Sequence, residues 1–519
     1  MWLFGFFKKR KQSVNDEKTA KIGIVGGDER IEASLKKNEE RLKQFFSDND
    51  VMISRKIIST GRKSFLYLIA YTDGMVDNQI INESIIKPLM LLNTEETGRL
   101  TIDGLISRVL MVNEIKKTDK WSQISDAINY GDTVLFVDGE DEAVILNTKS
   151  FDIRSISEPE GEKILSGPRE GFSESIITNL SLIRRKIRSS DLKMKMFSFG
   201  ERTKTKICVC YIKGIVNQKA LQELYDRLQK IDIDGVLDSH YFTELIRDKR
   251  RSVFRTIGTT ERPDVVSAKL LEGRISLFVD GTPVVLTLPY LFVENFQSSE
   301  DYYMNYYYTS FSRILRIAAF ALTVIVPAYY IAMVGYHREM LPTPFLLNIT
   351  VERGSVPFPS VIEAFVMLLV FDILRETGIR MPTNIGQALS IVGALVIGQS
   401  AVEAKLVSAP MIIVVALTGI TSLLVEKMAV AGIFYRYFLL FCGGTMGFVG
   451  VTCGICILII DILKLESFGL SQFGSVKSLK FQNIKDIVFR APWWNMITRP
   501  NGLSEDYVRM KCDGEDGED

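Results

Sequence analysis

The sequence predicts an α/β soluble region of two related units, followed by an all-α polytopic membrane domain. Three observations lead to this prediction. Charged residues crowd the first 313 positions, whereas long apolar runs occupy residues 314–461. In the first part, strand-like apolar runs alternate with helical patterns, as expected for an α/β fold. An LFVDG pentapeptide also occurs twice in that part, at residues 135–139 and 277–281.

The two units contain the same parts in the same order. A buried strand ends at Gly74 in YLIAYTDGMVDNQ and at Gly214 in VCYIKGIVNQ, and a helix follows each glycine. An amphipathic helix then precedes a hairpin that turns at the Asp-Gly of LFVDG. Gly74 and Gly139 lie 65 residues apart, and their counterparts Gly214 and Gly281 lie 67 residues apart. The matched spacing indicates an internal duplication.

The soluble region has further boundaries. The amphipathic helices are expected near Trp121–Asn129 and Asp264–Leu271, and another helix around Ile31–Phe46. The first residues, MWLFGFFKKRK, are either a loose terminus or a weak membrane-surface anchor. We expect six segments: a flexible charged segment (1–60), the first α/β unit (61–165), a basic helical linker (166–200), the second α/β unit (201–312), the helical membrane domain (313–461) and a cytoplasmic tail (462–519).

Composition and motifs argue against an enzyme. The net charge is +1, which gives no reason to expect a nucleic-acid partner. The two histidines, His240 and His337, lie too far apart in the sequence to suggest a metal site or a proton relay. GIVGG at 23–27 lacks the dinucleotide-binding pattern, and the GRKS motif at 61–64 lacks the upstream glycine of a phosphate loop. The sequence therefore predicts no catalytic residues, cofactor or metal.

Four apolar runs are long enough to cross a bilayer, which needs about 20 residues. They are Ile317–Gly335, Asn384–Val402, Tyr437–Ile460 and Pro410–Val425, the last of marginal length.

A fifth segment, Val361–Glu376, is short and carries three charges in its last turn. A capping box at Ser360 and Glu363 should start its helix, and Gly378 should end it. We expect a re-entrant or surface-lying helix. Capping explains Glu363 more simply than a role as an ion ligand.

The charge pattern predicts that both chain ends lie on the cytoplasmic side. The N-terminal stretch does not have the order of a secretory signal. Residues 464–511 contain eight Lys or Arg and four Asp or Glu, which favours a cytoplasmic tail. Ends on the same side require an even number of crossings, and four crossings satisfy that requirement.

The run Asn384–Val402 has one small, partly polar helical face. Such a face either lets helices pack closely or lines a narrow water path completed by other subunits. In contrast, the two Gly-x-x-x-Gly patterns in Tyr437–Ile460 indicate helix packing. The members of the small face are Gln387, Ser390, Ala394, Gly398 and Ala401.

The chain resembles the A subunit of the GerA-type spore germinant receptors. The resemblance runs from about Phe65 to Phe468 and is carried by many motifs in order. In the soluble half they include GDTVLFVDG (131–139), GPREGF (167–172), TNLSLIRRKI (178–187) and TERPD (260–264). In the membrane half they include YHREMLPTP (336–344), LRETGIRMP (374–382) and SIVGALVIGQSAV (390–402).

The resemblance implies a receptor subunit in the spore inner membrane. It would act with a transporter-like B subunit and a lipoprotein C subunit, and A subunits would form a homo-oligomer around a conduction path. This favours the pore interpretation of Asn384–Val402. Two hypotheses remain: a ligand-gated ion-conducting subunit, and a non-conducting scaffold that assembles the receptor. The charged motifs suggest assembly contacts rather than chemistry, with candidates Arg169, Glu170, Arg184, Arg185, Arg262 and Asp264.

Overall fold

The structure is a computed structural model. It describes residues 29–60, 65–92, 101–150, 158–159, 161–380, 396–473, 486–496, 498–499, 503–504 and 508–509. The chain divides into two compact units. The first consists of Met1–Phe151 with Arg188–Ser190, and the second of Asp152–Ile187 with Asp191–Asp519. The second unit therefore contains both an α/β fold and the long helices.

The first unit is built on an antiparallel sheet flanked by helices. Its strands are β1 (Met52–Ile58), β2 (Leu66–Thr72), β3 (Ile115–Thr118), β4 (Thr133–Val137) and β5 (Ala143–Leu146). They lie in the order β1-β2-β4-β5-β3. Its helices are α1 (Leu35–Phe45), α2 (78–91, with a π-helical stretch Ile81–Ile86), α3 (Ile102–Arg108) and α4 (Trp121–Tyr130).

Strand alternation explains why this sheet is covered on both faces. Successive residues of a strand point to opposite faces, so a fully apolar strand contributes to two cores. In β2, Leu68 and Ala70 belong to the apolar cluster that includes α1 and α4. The intervening Tyr67 and Ile69 belong to the cluster that includes α2 and α3. The result is a three-layer α/β/α arrangement.

The α/β fold of the second unit repeats this topology. Its strands are β6 (Leu192–Phe199), β7 (Thr205–Ile212), β8 (Gly258–Thr260), β9 (Ile275–Val279) and β10 (Val285–Leu288). Their order, β6-β7-β9-β10-β8, is that of the first sheet. Its helices are α5 (Ile176–Lys186), α6 (Gln218–Leu228), α7 (Ser239–Leu245) and α8 (Pro263–Leu271).

The two Asp-Gly turns occupy equivalent places in the two folds. The Asp138 carboxylate accepts a hydrogen bond from the backbone N–H of Leu35, at the start of α1. Likewise, the Asp280 carboxylate accepts one from the backbone N–H of Ile176, at the start of α5. A carboxylate there satisfies one of the unpaired N–H groups and interacts favourably with the helix dipole. The matched spacing in the sequence therefore corresponds to a repeated fold.

Two expected boundaries need correction. In the segment 1–60, expected to be flexible apart from a helix around Ile31–Phe46, α1 confirms that helix, and strand β1 joins the first sheet, which was not expected. The expected linker 166–200 contributes helix α5 and edge strand β6 to the second α/β fold. β1 (MISRKII) does not alternate cleanly between apolar and polar residues, whereas β6 (LKMKMFSF) does so over its first five residues. Each is held in place by pairing with its neighbour, which a local pattern does not reveal.

The rest of the second unit is helical. The helices are α9 (Tyr306–Tyr336), α10 (Thr343–Gly354), α11 (Ser360–Arg380), α12 (described over 396–403), α13 (Ala409–Leu423) and α14 (Ala429–Leu463). By length and composition, two helical segments among the described residues could cross a membrane, Tyr306–Tyr336 and Glu426–Leu463.

Helix α14 is a helical hairpin, so the expectation of one straight span over Tyr437–Ile460 is wrong. Gly447 has φ 60° and ψ −141°, which breaks the helix. The Tyr435 hydroxyl donates to the Asp461 carboxylate at 2.5 Å. In a straight helix these residues would be about 39 Å apart. The two arms, 429–446 and 448–463, therefore run antiparallel from a tight turn. A glycine supplies this turn because other residues rarely adopt such angles.

Helix α11 is longer than the sequence suggests. It continues through Gly378 to Arg380 and has 21 residues, or about 32 Å. A glycine inside a helix costs only about 1 kcal/mol, which tertiary packing can offset. The apolar cluster around α11 includes Ala364 and Leu368 together with residues of α9 and α13. The helix thus packs lengthwise among its neighbours.

The segment expected to be a tail is partly integrated into the second unit. Phe468 is buried in the core cluster of the second α/β fold. Ser467 accepts a hydrogen bond from the Tyr290 N–H and donates one to the Thr256 carbonyl. A small hairpin, β11 (Glu466–Ser467) with β12 (Leu470–Ser471), forms there. These non-local contacts connect the end of α14 to the α/β fold.

The glycine at the hairpin turn provides a test of the α14 geometry. Replacing Gly447 by alanine should destabilise the protein by about 1–3 kcal/mol, because the backbone conformation there is strained for any side chain. A Cβ at this position would also lie only 3.0 Å from Tyr336 and His337. The measurement is thermal unfolding of the full-length chain in detergent.

Gly335→Ala is the matched control, since a Cβ at Gly335 meets nothing within 4 Å. It should leave the unfolding temperature unchanged or slightly raised. Equal changes of the unfolding temperature in Gly447→Ala and Gly335→Ala would contradict the hairpin.

Candidate functional site

The predicted pore face lies only partly within the described structure. Three of its members, Gln387, Ser390 and Ala394, lie outside the described residues. The other two, Gly398 and Ala401, belong to α12.

The described end of this face is in contact with α13. Gly398 is buried, and a Cβ there would lie 3.9 Å from the Ile412 side chain. Ala401 is half-buried and packs against an apolar cluster that contains Val407 and Met411. Close packing is therefore one role of these small residues. That the same face lines a pore stays a prediction.

Glu363 caps a neighbouring helix and not its own, contrary to the expected capping box. Its carboxylate is 2% exposed and accepts hydrogen bonds from the Ser408 backbone N–H at 3.2 Å and hydroxyl at 2.9 Å. Ser408 immediately precedes α13, so the negative charge lies at the positive end of that helix dipole. The other carboxylate oxygen, Oε1, has no hydrogen-bond partner in the described part of the chain. The Glu363 carboxylate therefore binds a residue distant in the sequence and not the N-terminus of its own helix.

An ion pair joins α11 to the first arm of α14. The Arg436 guanidinium, 1% exposed, donates to the Asp372 carboxylate at 2.6 Å, and the Tyr437 hydroxyl donates to the same oxygen at 2.8 Å. Charged groups among apolar helices are costly and are usually paired with one another. This pair therefore helps to determine which helices are neighbours.

A second cluster of charges lies at the base of α9. Arg313 is fully buried and donates to Asp301 at 2.9 Å and to Asp486 at 2.8 Å. Arg316 binds the same Asp301 at 3.0 Å. The Tyr302 hydroxyl donates to Asp486 at 2.8 Å. These contacts connect α9 to the loop before it and to the C-terminal segment 486–496.

A third set of charges lies between α8 and the short helix Phe292–Phe296. Glu294 forms ion pairs with Arg274 and, at 2.9 Å, with Lys269. Burial alone would raise the pKa of the Glu294 carboxyl, but the two cations outweigh burial and lower it to about 2. Burial raises the pKa of the neighbouring Glu272 carboxyl, although Arg274 opposes that shift. Glu294 is therefore the charged partner of both cations near neutral pH.

Of the six assembly candidates, four lie around α5. Arg169 is exposed and binds Glu158 at 3.3 Å. Glu170 binds Arg185 at 2.6 Å. Arg184 is fully buried, with one nitrogen 3.6 Å from the Met194 sulfur, and burial lowers its pKa to about 10. Among these four, Arg169 is the residue best placed to reach another chain.

The remaining two candidates, Arg262 and Asp264, interact with each other. Arg262 is fully buried and donates to the Asp264 carboxylate at 2.8 Å and to the Pro168 carbonyl at 2.9 Å. The Tyr303 hydroxyl donates to Asp264 at 2.6 Å. Burial and this hydrogen bond raise the pKa of the Tyr303 phenol. Within the chain, this cluster connects the start of α8 to the loop before α9.

Sequence reasoning missed the polar groups that the fold brings together. Asp372 and Arg436 were visible as charges within apolar stretches, which was the available signal. Their pairing was not visible, because 64 residues separate them. Nothing in the local sequence marked Ser408 or Asp486 as the partner of a buried charged group. Among the described residues, no group of three or more His, Cys, Asp or Glu side chains could hold a metal ion.

The chain matches a family model described as Bacillus/Clostridium GerA spore germination protein, over residues 40–502. Spore germination protein KA of Bacillus subtilis (strain 168) is 41% identical over 488 residues, which cover 93% of this chain and 89% of that protein. Spore germination protein B1 of the same organism is 33% identical, with 93% and 100% coverage.

A membrane protein and a solved structure are also similar to this chain. The membrane protein YfkQ of Bacillus subtilis (strain 168) is 37% identical and covers 95% of this chain and 96% of its own length. Among solved structures, the crystal structure of the N-terminal domain of the A subunit of the Bacillus megaterium spore germinant receptor GerK3 is 32% identical. It covers 51% of this chain and 98% of that chain, with a TM-score of 0.40.

The Glu294 ion pairs predict a specific pH dependence. Its lowered pKa means that the stabilisation is fully present above about pH 4.5 and is lost as the pH falls toward 2. Glu294→Gln should lower the free energy of unfolding by about 3 kcal/mol near pH 6, because both cations lose their charged partner. The deficit relative to the parent chain should shrink by pH 3. Unfolding in detergent at several pH values measures it.

Glu244→Gln serves as the control, because the Glu244 side chain is 70% exposed and its pair with His240 contributes little. A deficit in Glu294→Gln that does not change with pH would argue against the charged Glu294.

Proposed function

Because the chain belongs to the Bacillus/Clostridium GerA family of spore germination proteins, we propose that it is the A subunit of a nutrient germinant receptor. The observation that carries the proposal is the extent of the match, which includes both α/β folds and the helices. The chain would help to trigger germination when the receptor detects a nutrient. A B subunit, a lipoprotein C subunit and further copies of this chain would complete the receptor.

The helical region would lie in the spore inner membrane, with the N-terminal region and the C-terminal segment in the cytoplasm. Large apolar side chains exposed on the outer helices support this placement, since a monomer in water rarely has so many. They include Ile362, Phe365, Leu369 and Ile373 of α11, Ile413, Leu417 and Ile420 of α13, and Phe434, Phe441, Val449, Ile457 and Ile460 of α14.

Contacts between helices favour six crossings over the four expected from the sequence. The Thr323 hydroxyl lies 2.9 Å from that of Thr421, which places the end of α13 beside the middle of α9. The Glu363–Ser408 contact places the starts of α11 and α13 together at the opposite end. The span expected over Asn384–Val402 would return the chain between α11 and α13. With α9, α11, α13 and the two arms of α14, this makes six, an even number.

Within this arrangement, the segment Asn384–Val402 would line a conduction path shared by several subunits. The resemblance to receptor A subunits and the small-residue face support this role. The alternative is a scaffold that assembles the receptor without conducting ions. Purified full-length protein in planar bilayers distinguishes the two, because only a conducting subunit gives currents that change with the pore-facing side chain.

Substitutions of Ala394 distinguish a pore-lining role of the small helix face from a packing role. If Ala394 faces a closed constriction, Ala394→Ser should wet it and cause germination without nutrient, at a normal protein level. Ala394→Leu should not leak. If the face serves packing alone, the protein level should fall as the side chain grows, and neither variant should leak. Spore germination without nutrient and immunoblots of receptor level are the measurements.

Exposed Arg169 tests the assembly role of the charged motifs. Its side chain is 66% exposed, so Arg169→Glu should leave the fold intact. It should reduce co-purification of the other receptor subunits if this surface contacts them. Arg202→Glu, on the exposed turn between β6 and β7, is the control. Unchanged co-purification would assign Arg169 to the solvated surface. The buried Arg262 is unsuitable, because its reversal would disturb folding first.

A further inference from the structure

A cavity of about 440 Å³ in the second unit lies where the α/β fold meets the long helices. Residues of α8, the base of α9, the turn between α13 and α14, and Trp493 of the C-terminal segment line it. Its walls are rich in charge. The pairing of these charges indicates what the cavity could bind.

The buried acidic groups of the cavity already have cationic or polar partners. Glu294 is paired with Arg274 and Lys269. Asp264 is paired with Arg262. Glu272 lies 3.4 Å from Arg274, and Glu162 accepts hydrogen bonds from the Thr260 hydroxyl and the Glu261 N–H. Glu426 is exposed at the rim. The enclosed carboxylates therefore do not need an additional cation.

Three cations of the cavity lining do not share this pairing: Lys427 is half-buried, and Lys163 and Arg255 are exposed at the rim, as Glu426 is. In the described part of the chain, Lys163, Arg255 and Lys427 form no ion pair. The Lys427 ammonium donates to the Gln297 carbonyl at 2.9 Å. Two cations, Lys269 and Arg255, and two carboxylates, Glu162 and Glu294, lie within electrostatic range of it. The cavity lining contains seven Lys or Arg and five Asp or Glu, so positive charges from the α/β fold and from the helices are in excess. A bound anion would relieve their mutual repulsion.

An exposed apolar track leads from the cavity along α13. Leu424 lines the cavity and is 46% exposed. Ile420, Leu417 and Ile413 follow at steps of four, three and four residues, which places all four on one helix face. Ile420 and Ile413 are 64% and 70% exposed. The track is about 16 Å long, close to the length of an extended acyl chain through one leaflet.

We propose that this cavity binds the phosphate of an anionic phospholipid headgroup, with one acyl chain lying along the α13 track. A phosphate accepts charge-assisted hydrogen bonds from lysine and arginine, and basic pockets beside cytoplasmic helix ends bind such headgroups. The lipid would connect Arg255 of the α/β fold to Lys427 of the helices. The inference rests on the membrane placement proposed above.

Lipid retention measured by native mass spectrometry tests the assignment. The full-length chain is released from bilayers of phosphatidylcholine containing phosphatidylglycerol. The parent chain should retain phosphatidylglycerol in preference to phosphatidylcholine. Retention should weaken about fivefold for each cation removed in Lys427→Gln and Arg255→Gln. Lys427→Arg keeps the charge and should retain the lipid. Lys230→Gln, an exposed lysine of the α/β fold outside the cavity, is the matched control.

Two further measurements distinguish a lipid phosphate from free phosphate and exclude misfolding as the cause of weaker retention. Inorganic phosphate at millimolar concentration should not raise the unfolding temperature, whereas phosphatidylglycerol should. Ile420→Asn changes only the exposed track and should weaken retention with all cations present. Membrane fractionation checks the placement separately, because the variants should remain in the membrane fraction.

Equal retention by the parent chain and the cation variants would overturn the proposal. Stabilisation by inorganic phosphate equal to that by the lipid would assign the cavity to a soluble phosphate compound and would also overturn it. A chain absent from the membrane fraction would instead refute the membrane placement.

Discussion

The arrangement of the second unit depends on the buried Arg313 guanidinium. It lies at the base of α9 and binds Asp301 and Asp486 at 2.9 and 2.8 Å. A cation completely removed from water is tolerated only when its partners are present, and removing one partner typically costs about 3–5 kcal/mol. The two carboxylates come from the loop after the second sheet and from the C-terminal segment. One side chain thus determines where the α/β fold, the first long helix and the end of the chain meet.

The remaining helices are positioned relative to α9 by a few polar contacts in an apolar setting. Apolar helices have little preference for one apolar neighbour over another, particularly in lipid. The Glu363–Ser408 and Asp372–Arg436 contacts supply that preference, because a buried carboxylate without partners is costly. The Gly447 turn then returns the chain to the level at which α14 began. Apolar side chains fill the space between the helices, while the polar pairs determine which helices are neighbours.

The two α/β folds share a topology, but one equivalent position shows how they differ. Each amphipathic helix ends in a glycine with positive φ, Gly131 in the first fold and Gly273 in the second. The next residue is Asp132 in one fold, where it pairs with Lys149, and Arg274 in the other, where it pairs with Glu294. The charge is reversed without a change of backbone. Only the second α/β fold lies in the same unit as the long helices. Its Arg274–Glu294 pair lies where that fold meets the helices.

The sequence by itself determined the α/β class, the duplication and the apolar character of the helical region. Those features depend on local periodicity and on a repeated turn, so a single stretch of residues reveals them. It also placed α4 and α8 within one or two residues of their observed bounds. The small-residue face on Asn384–Val402 and the charged motifs could be proposed as sites from the same local signals.

Only the tertiary structure decided which of two locally equivalent interpretations holds. Glu363 fits a capping box in the sequence, yet its carboxylate binds Ser408, 45 residues away. The glycines of α14 fit close packing along a straight helix, yet one of them forms a turn. The partners of a buried charge and the course of an apolar chain depend on groups that are distant in sequence. Their free energies are therefore set by the assembled fold and not by the segment that carries them.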